Sequence, residues 1–305
     1  MTRRIPAAEK QAAKAIKPLL AINQSRHTQK NDGKVHSVGT ARQYESIYKG
    51  VANWLSTEHN ERLRYITADH ASQYLTQRSV DIQQKQLNNE RRALELHLRH
   101  VQKEPALTLP RQRSEVPTIE HSRAYTPQQI ELVRSEQSER MALSTELAGS
   151  AGLRAEELLS LRRIDERPPS GHRQWSAELY QGRETWHRYT VQGKGGLVRE
   201  VRIPETLAHQ LETRRLDNPE RVTDRGVHHM RVYDVVGGKS FSTMFSRNAT
   251  QHLGWSEGAH GLRHSYAQQR MDELQNSGQH YQEALSIVSQ ELGHFRPDIT
   301  QVYLR

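Results

Sequence analysis

The sequence predicts a mainly α-helical protein of two units, the second carrying one small antiparallel sheet. Three observations carry that expectation. From Thr40 to about Val101, apolar residues recur at spacings of three and four. The stretch EPALTLPRQRSEVPTIEHSRA then brings three prolines, mixed charge and no period. Beyond it, helical spacing returns and is interrupted by strand-like alternation around a Gly-Lys-Gly-Gly turn.

At 305 residues the chain is long enough for two hydrophobic cores. No apolar run approaches the ~18 residues of a membrane span, and the N-terminus lacks the apolar stretch of a secretory signal. With no cysteine, disulfides, thiolate metal sites and cysteine nucleophiles are excluded. A cytoplasmic protein with no membrane association is expected. The net charge of +9 favours a polyanionic partner, although composition does not separate DNA from RNA or an anionic membrane. Six of those nine charges fall in residues 1–34, where Arg3, Arg4, Lys10, Lys14, Lys17, Arg26, Lys30 and Lys34 face only Glu9 and Asp32. That segment reads as a basic arm containing a short amphipathic helix, which either lies on DNA, a partner or a membrane surface or simply packs on its neighbour.

The elements follow in order. In TARQYESIYKGVANWLSTEH the apolar positions Tyr44, Ile47, Tyr48, Val51, Trp54 and Leu55 share a helical face. A second helix starts at a Thr67 or Asp69 cap, and a third carries Leu87, Leu94, Leu98 and Val101 on one side. These make a small helical domain over 35–103, followed by a linker over 104–122. A second domain, 123–305, opens where Thr126 caps and Pro127 takes the first helical position. The stretch from Arg140 to Asp165 reads as helix with a break at Gly149–Gly152, placing Arg154 just inside a helix. WSAELYQ and HRYTVQGKGGLVREVRIP read as strands, and the remainder as three helices.

One stretch, HGLRHSYAQQR from His260, poses a chemical choice. His260 and His264 at i and i+4 have metal-ligand spacing, but a zinc-protease helix needs a glutamate where Gly261 stands. His260 with Arg263 instead suits a phosphate, provided other segments supply a second cation, a nucleophile and an acid. The chain offers Arg154 in GLRAEEL, Lys194 in GKGGLVR, His294 in LGHFRPDIT and Tyr303 beyond it. Taken singly these are ordinary: Arg154 pairs with Glu157 on one face, Lys194 is a turn lysine, and Tyr303 is a core aromatic.

Together and in this order, the four motifs resemble those of the tyrosine recombinases, the phage integrase family of site-specific recombinases. The resemblance covers roughly Tyr125 to Arg305, and more loosely residues 36–101 as a core-binding domain. It implies a C-shaped clamp on duplex DNA, built from a helical core-binding domain and a mixed, mostly helical catalytic domain. Arg154 and Arg263 would hold the non-bridging phosphate oxygens. Tyr303 would attack to form a 3′-phosphotyrosyl bond, with His260 as its base. Lys194 would protonate the leaving 5′-oxygen, and His294 would donate to the phosphate; Glu157 and His264 would be supports.

The implied activity is strand cleavage and rejoining for integration, excision or resolution of a mobile element, bacterial or phage-encoded. No cofactor or metal is called for. The implied partners are double-stranded DNA, three further copies in a tetramer on two sites, and accessory DNA-bending or directionality factors. A catalytically silent DNA-binding protein of the same fold, or a type IB topoisomerase-like activity, is the alternative. Only Leu304 and Arg305 follow Tyr303, so the subunit docking that many relatives make with a tail beyond the nucleophile is not expected here, or comes from the N-terminal arm. The long Asp165–Thr190 region is expected as a loop over DNA.

Overall fold

The computed structural model describes residues 5–22, 24, 32–118 and 120–305, without the side chain of Lys194. Of the basic arm, Arg3, Arg4, Arg26 and Lys30 lie outside the described residues. The chain divides into two compact units, Met1–Ile119 and Glu120–Arg305. Among the described residues no helix is long and apolar enough to cross a membrane.

The first unit is helical. Helix α2 (Val38–Glu58) lays Tyr48, Val51, Ala52 and Leu55 into the core, against α3 (Ala68–Arg78) and α4 (Gln84–Gln102). The Thr67 hydroxyl caps α3 by accepting from His70 N at 3.1 Å. Leu87, Leu94 and Leu98 are buried, whereas Val101 is exposed. Two segments differ from expectation. Helix α1 (Ala8–Ile16) is no free arm: Ala8, Ala12, Ala15 and Ile16 are buried in the same core, with Lys10 and Lys14 facing solvent. Its alanines permit close packing on α2, and the apolar area so removed from water favours docking. The expected linker is likewise strapped down in its first half. Leu107 and Leu109 are buried, Glu95 accepts from Leu109 N at 2.9 Å, and Ser114 Oγ donates to Ile82 O at 2.7 Å.

The second unit opens with α5 (Pro127–Ser135), closed by a capping box between Thr126 and Gln129. Helix α6 (Glu139–Ser150) follows. An antiparallel sheet has the order β1 (Arg162–Arg163), β2 (His187–Gln192), β3 (Val198–Ile203). Next come α7 (Glu205–Thr213) and a hairpin of β4 (Arg215–Asp224) and β5 (Val227–Tyr233). Helices α8 (Gly238–Leu253), α9 (Gly261–Asn276), α10 (Tyr281–Glu291) and α11 (Pro297–Thr300) complete it, with a last 3-10 turn over Gln301–Leu304.

WSAELYQ is not a strand. Ser176 N and Tyr180 N donate to the side chains of Gln290 (2.8 Å) and Glu291 (3.1 Å), and Tyr180 has a φ of 64°, which a strand forbids. The loop thus packs on α10 of its own unit. The β4–β5 hairpin was not anticipated, because its strands are mostly exposed and show no apolar alternation. Its turn carries the available signal, Arg225-Gly226, both left-handed. Near that turn Asp224 accepts from Lys239 N at 2.8 Å, fastening the hairpin to the start of α8.

His97 provides a test of the first core. Burial lowers its pKa to about 4, against a bond to the Leu63 carbonyl that favours the charged form. A histidine kept neutral by folding stabilises fully above its unfolded value near 6.5, and that contribution is lost as pH falls towards 4. Protection factors of the α4 amides, which take out the intrinsic pH dependence of exchange, should therefore fall between pH 6.5 and 4. In His97→Phe the fall should be smaller; an unchanged profile would show that His97 does not carry the effect.

Candidate active site

The site begins with an abrupt turn. After α6, Gly152 adopts a left-handed φ of 58°, and a Cβ there would fall 2.6 Å from the Tyr266 ring. This glycine ends the helix, so Arg154 lies in a turn before a 3-10 segment (Glu157–Ser160), not inside a helix as the sequence suggested. Glu157 takes over the capping. Its carboxylate accepts from Arg154 N at 2.8 Å and from Arg154 Nη1 at 2.6 Å.

Two other arginines converge on that carboxylate. Arg199 Nη2, from β3, donates to it at 2.8 Å. Arg263 Nη1, from the first turn of α9, lies 3.8 Å away and donates to Gly152 O, while its Nη2 donates to Leu292 O. Burial alone would raise the Glu157 carboxyl, but Arg199, Arg263 and Arg154 hold it well below the carboxylate range. Arg263 is fully buried, and burial with the charge of Arg154 lowers it to about 9, so it stays cationic at neutral pH. Among the described side chains of this cluster, three guanidinium groups meet one carboxylate. The surplus of positive charge suits a polyanion.

Arg154 Nη2 lies 3.0 Å and Arg263 Nη2 3.4 Å from His294 Nε2. Guanidinium nitrogens only donate, so Nε2 accepts, and the ring proton sits on Nδ1, 3.3 Å from Thr300 Oγ1. Burial and the adjacent Arg263, Arg154 and Arg199 lower His294 to about 3, which keeps it neutral. In this arrangement its Nε2 serves the arginines rather than offering a proton.

Tyr303 occupies the last 3-10 turn, 8% exposed, among three imidazoles. Its ring centroid lies 5.5 Å from His260, 4.6 Å from His264 and 5.4 Å from His294, with Arg263 Cζ 5.7 Å away. Gln268 Nε2 donates to Tyr303 O at 3.2 Å and to Arg305 O at 3.0 Å, and Arg305 pairs with Glu120 at 2.6 Å. Burial and Arg263 lower His260 to about 4, leaving a neutral imidazole able to accept a proton. His264, set aside in the sequence, packs closer to Tyr303 than His260 does. Among the described residues no group of three or more His, Asp or Glu side chains is arranged to hold a metal.

The Lys194 side chain lies outside the description, but its turn is positioned. A Cβ on Gly193 would lie 3.0 Å from Glu157 Oε1 and 3.6 Å from Arg154 Nη1, so the β2–β3 turn abuts the arginine cluster. Arg199 went unassigned in the sequence. A signal was present: it shares the inward phase of β3 with Val201 and Ile203, all three buried, and a charged residue in that phase demands a partner.

No protein-family model and no curated protein matches the sequence. Solved structures do match the fold. A XerH site-specific recombinase bound to a palindromic difH substrate in a post-cleavage complex aligns over 100% of this chain and 94% of its own, at 13% identity and a TM-score of 0.58. A lambda integrase dimer bound to a COC′ core site aligns over 97% and 76%, at 14% identity and 0.58. The Tn1549 transposon integrase in complex with circular intermediate DNA aligns over 98% and 95%, at 14% identity and 0.51. The chain has the tyrosine-recombinase fold.

If the cluster is an anion site, inorganic sulfate should bind it and raise the His294 pKa, since a nearby anion favours the imidazolium. Histidine 15N resonances followed against pH, with and without sulfate, check this. The midpoint should rise from about 3 while His97, in the other unit, stays; no movement would reject the anion site.

Proposed function

We propose that this chain is a site-specific DNA recombinase that cleaves and rejoins strands through a 3′-phosphotyrosyl intermediate. The observation that carries the reading is the convergence of Arg154 and Arg263 on His294, from segments as much as 140 residues apart, beside the ring of Tyr303.

A phosphodiester anion repels an attacking anion, and the transition state gathers further charge. Arg154 and Arg263 neutralise it on the non-bridging oxygens, exchanging part of their bonding to His294 and the Gly152 and Leu292 carbonyls for the phosphate. His260 takes the phenolic proton as the Tyr303 oxygen attacks phosphorus. The bond to the 5′-oxygen breaks, and Lys194 protonates that oxygen. The bound anion favours protonation of His294, which then donates to the phosphate. Because the phosphotyrosyl link conserves the energy of the broken bond, a 5′-hydroxyl from a partner strand reverses the step. In this reading four copies act on two duplexes and exchange strands; the Tn1549 transposon integrase structure, in complex with a circular intermediate DNA, supports DNA as the partner.

Incubation with nicked duplex libraries should give a denaturant-resistant protein–DNA adduct. Tyr303→Phe should bind as wild type and give none. Arg154→Ala or Arg263→Ala should lower adduct formation by a factor on the order of 100 to 1,000, with binding much less affected. Binding without any adduct would favour a silent DNA-binding protein, and site-independent relaxation of supercoils a topoisomerase.

The pH profile carries a second expectation. The base must be neutral, so its activity is lost as pH falls through its pKa. With His260 lowered to about 4, adduct formation at subsaturating DNA should show no break near 6.5. A break there would contradict the lowering of His260 by burial and Arg263.

A further inference from the structure

Arg199 is 2% exposed and uses both terminal nitrogens. Nη1 donates to Glu291 O at 2.6 Å, and Nη2 donates to Glu157 Oε2 at 2.8 Å and to Gly152 O at 3.3 Å. Each acceptor belongs to a segment that carries a candidate group. Gly152 stands two residues before Arg154, and Glu157 bonds the amide and the guanidinium of Arg154. Glu291 ends α10, three residues before His294.

The path of the side chain is equally constrained. Its Cδ would lie 3.0 Å from a Cβ on Gly293, where the chain takes a φ of 72°, so a glycine immediately before His294 makes room for it. On its own strand Arg199 pairs with Val191, and the adjacent pair Gln192–Val198 closes the turn that bears Lys194. One guanidinium therefore touches the Arg154 turn and the His294 turn from the strand that carries the lysine turn.

We propose that Arg199 is a positioning residue for strand cleavage. By bridging the Glu157 carboxylate and the Gly152 and Glu291 carbonyls, it holds the segments bearing Arg154, Lys194 and His294 in register around a single phosphate. The inference rests on the recombinase reading above. In this role Arg199 acts through the groups it holds, both of its terminal nitrogens being given to protein acceptors on their segments. A planar fork is required, because its two terminal nitrogens bond acceptors on separate segments; a lysine keeps the charge but has one nitrogen to share among them.

The test uses the full chain as wild type, Arg199→Lys and Arg199→Met, with the duplex on which wild type forms its adduct. DNA affinity should stay within about twofold, while adduct formation falls about 100-fold in Arg199→Met, the cost of an ångström-scale misplacement. Arg199→Lys, which retains the buried charge and guards against a variant that does not fold, should recover only part of that loss. Full recovery by lysine would overturn the bridging role, and equal losses of binding and cleavage would reduce Arg199 to a structural residue. A second readout needs no activity. At pH 7 the 15N shifts of His294 should move in Arg199→Lys while those of His97 do not; unmoved His294 shifts would also overturn the proposal. If wild type forms no adduct, the recombinase reading fails, and the His294 shifts still decide whether Arg199 holds that segment.

Discussion

The second unit depends on one buried carboxylate. Glu157 is fully buried, and a carboxylate there is tolerable only because Arg154, Arg199 and Arg263 surround it. The pairing works in both directions. Three guanidinium groups brought together would repel one another, and the carboxylate lets them approach while leaving positive charge in excess. The fixed geometry thus keeps an excess of positive charge in one place.

Around this centre the fold supplies segments rather than whole elements. The candidate groups sit at a turn after α6, at the start of α9, in the turn after α10 and in the final 3-10 turn. Helix packing fixes those ends, while the ends remain free to aim side chains inward. The His294 turn is further tied to a second buried centre at Glu291, whose carboxylate accepts from Arg270 and Tyr266. The histidines are neutral through burial and the neighbouring arginines, so the excess charge stays on groups that cannot release a proton at neutral pH.

Much of this was legible in the sequence, and the limits have physical reasons. The helices of both units follow from apolar spacing, and the Thr126–Pro127 start from cap chemistry. The motifs around Arg154, Arg263, His294 and Tyr303 were picked out by their resemblance to a family pattern, since singly each reads as an ordinary residue, and the fold brings the four side chains near one another. Their local setting could not be read as well. Arg154 looked helical because GLRAEELLSL has helical spacing, yet a left-handed Gly152 and the Glu157 cap break the helix. Arg199 was passed over although its inward phase was visible, since its three acceptors come from distant segments. Helix α1 was legible as amphipathic, but its pattern did not decide between a free arm and the docking that its alanine face makes. WSAELYQ alternates like a strand, but its amides bond to side chains of α10, a tertiary choice that no local pattern records.

The most direct measurement is a chemical one. The covalent protein–DNA complex trapped on a nicked duplex can be digested with protease and nuclease and the nucleotide-bearing peptide sequenced by mass spectrometry. A nucleotide joined through its 3′-phosphate to Tyr303 is the predicted result. Attachment at any other residue, or failure of every tested duplex to yield a complex, would contradict the role given to this tyrosine and to the arginine cluster beside it.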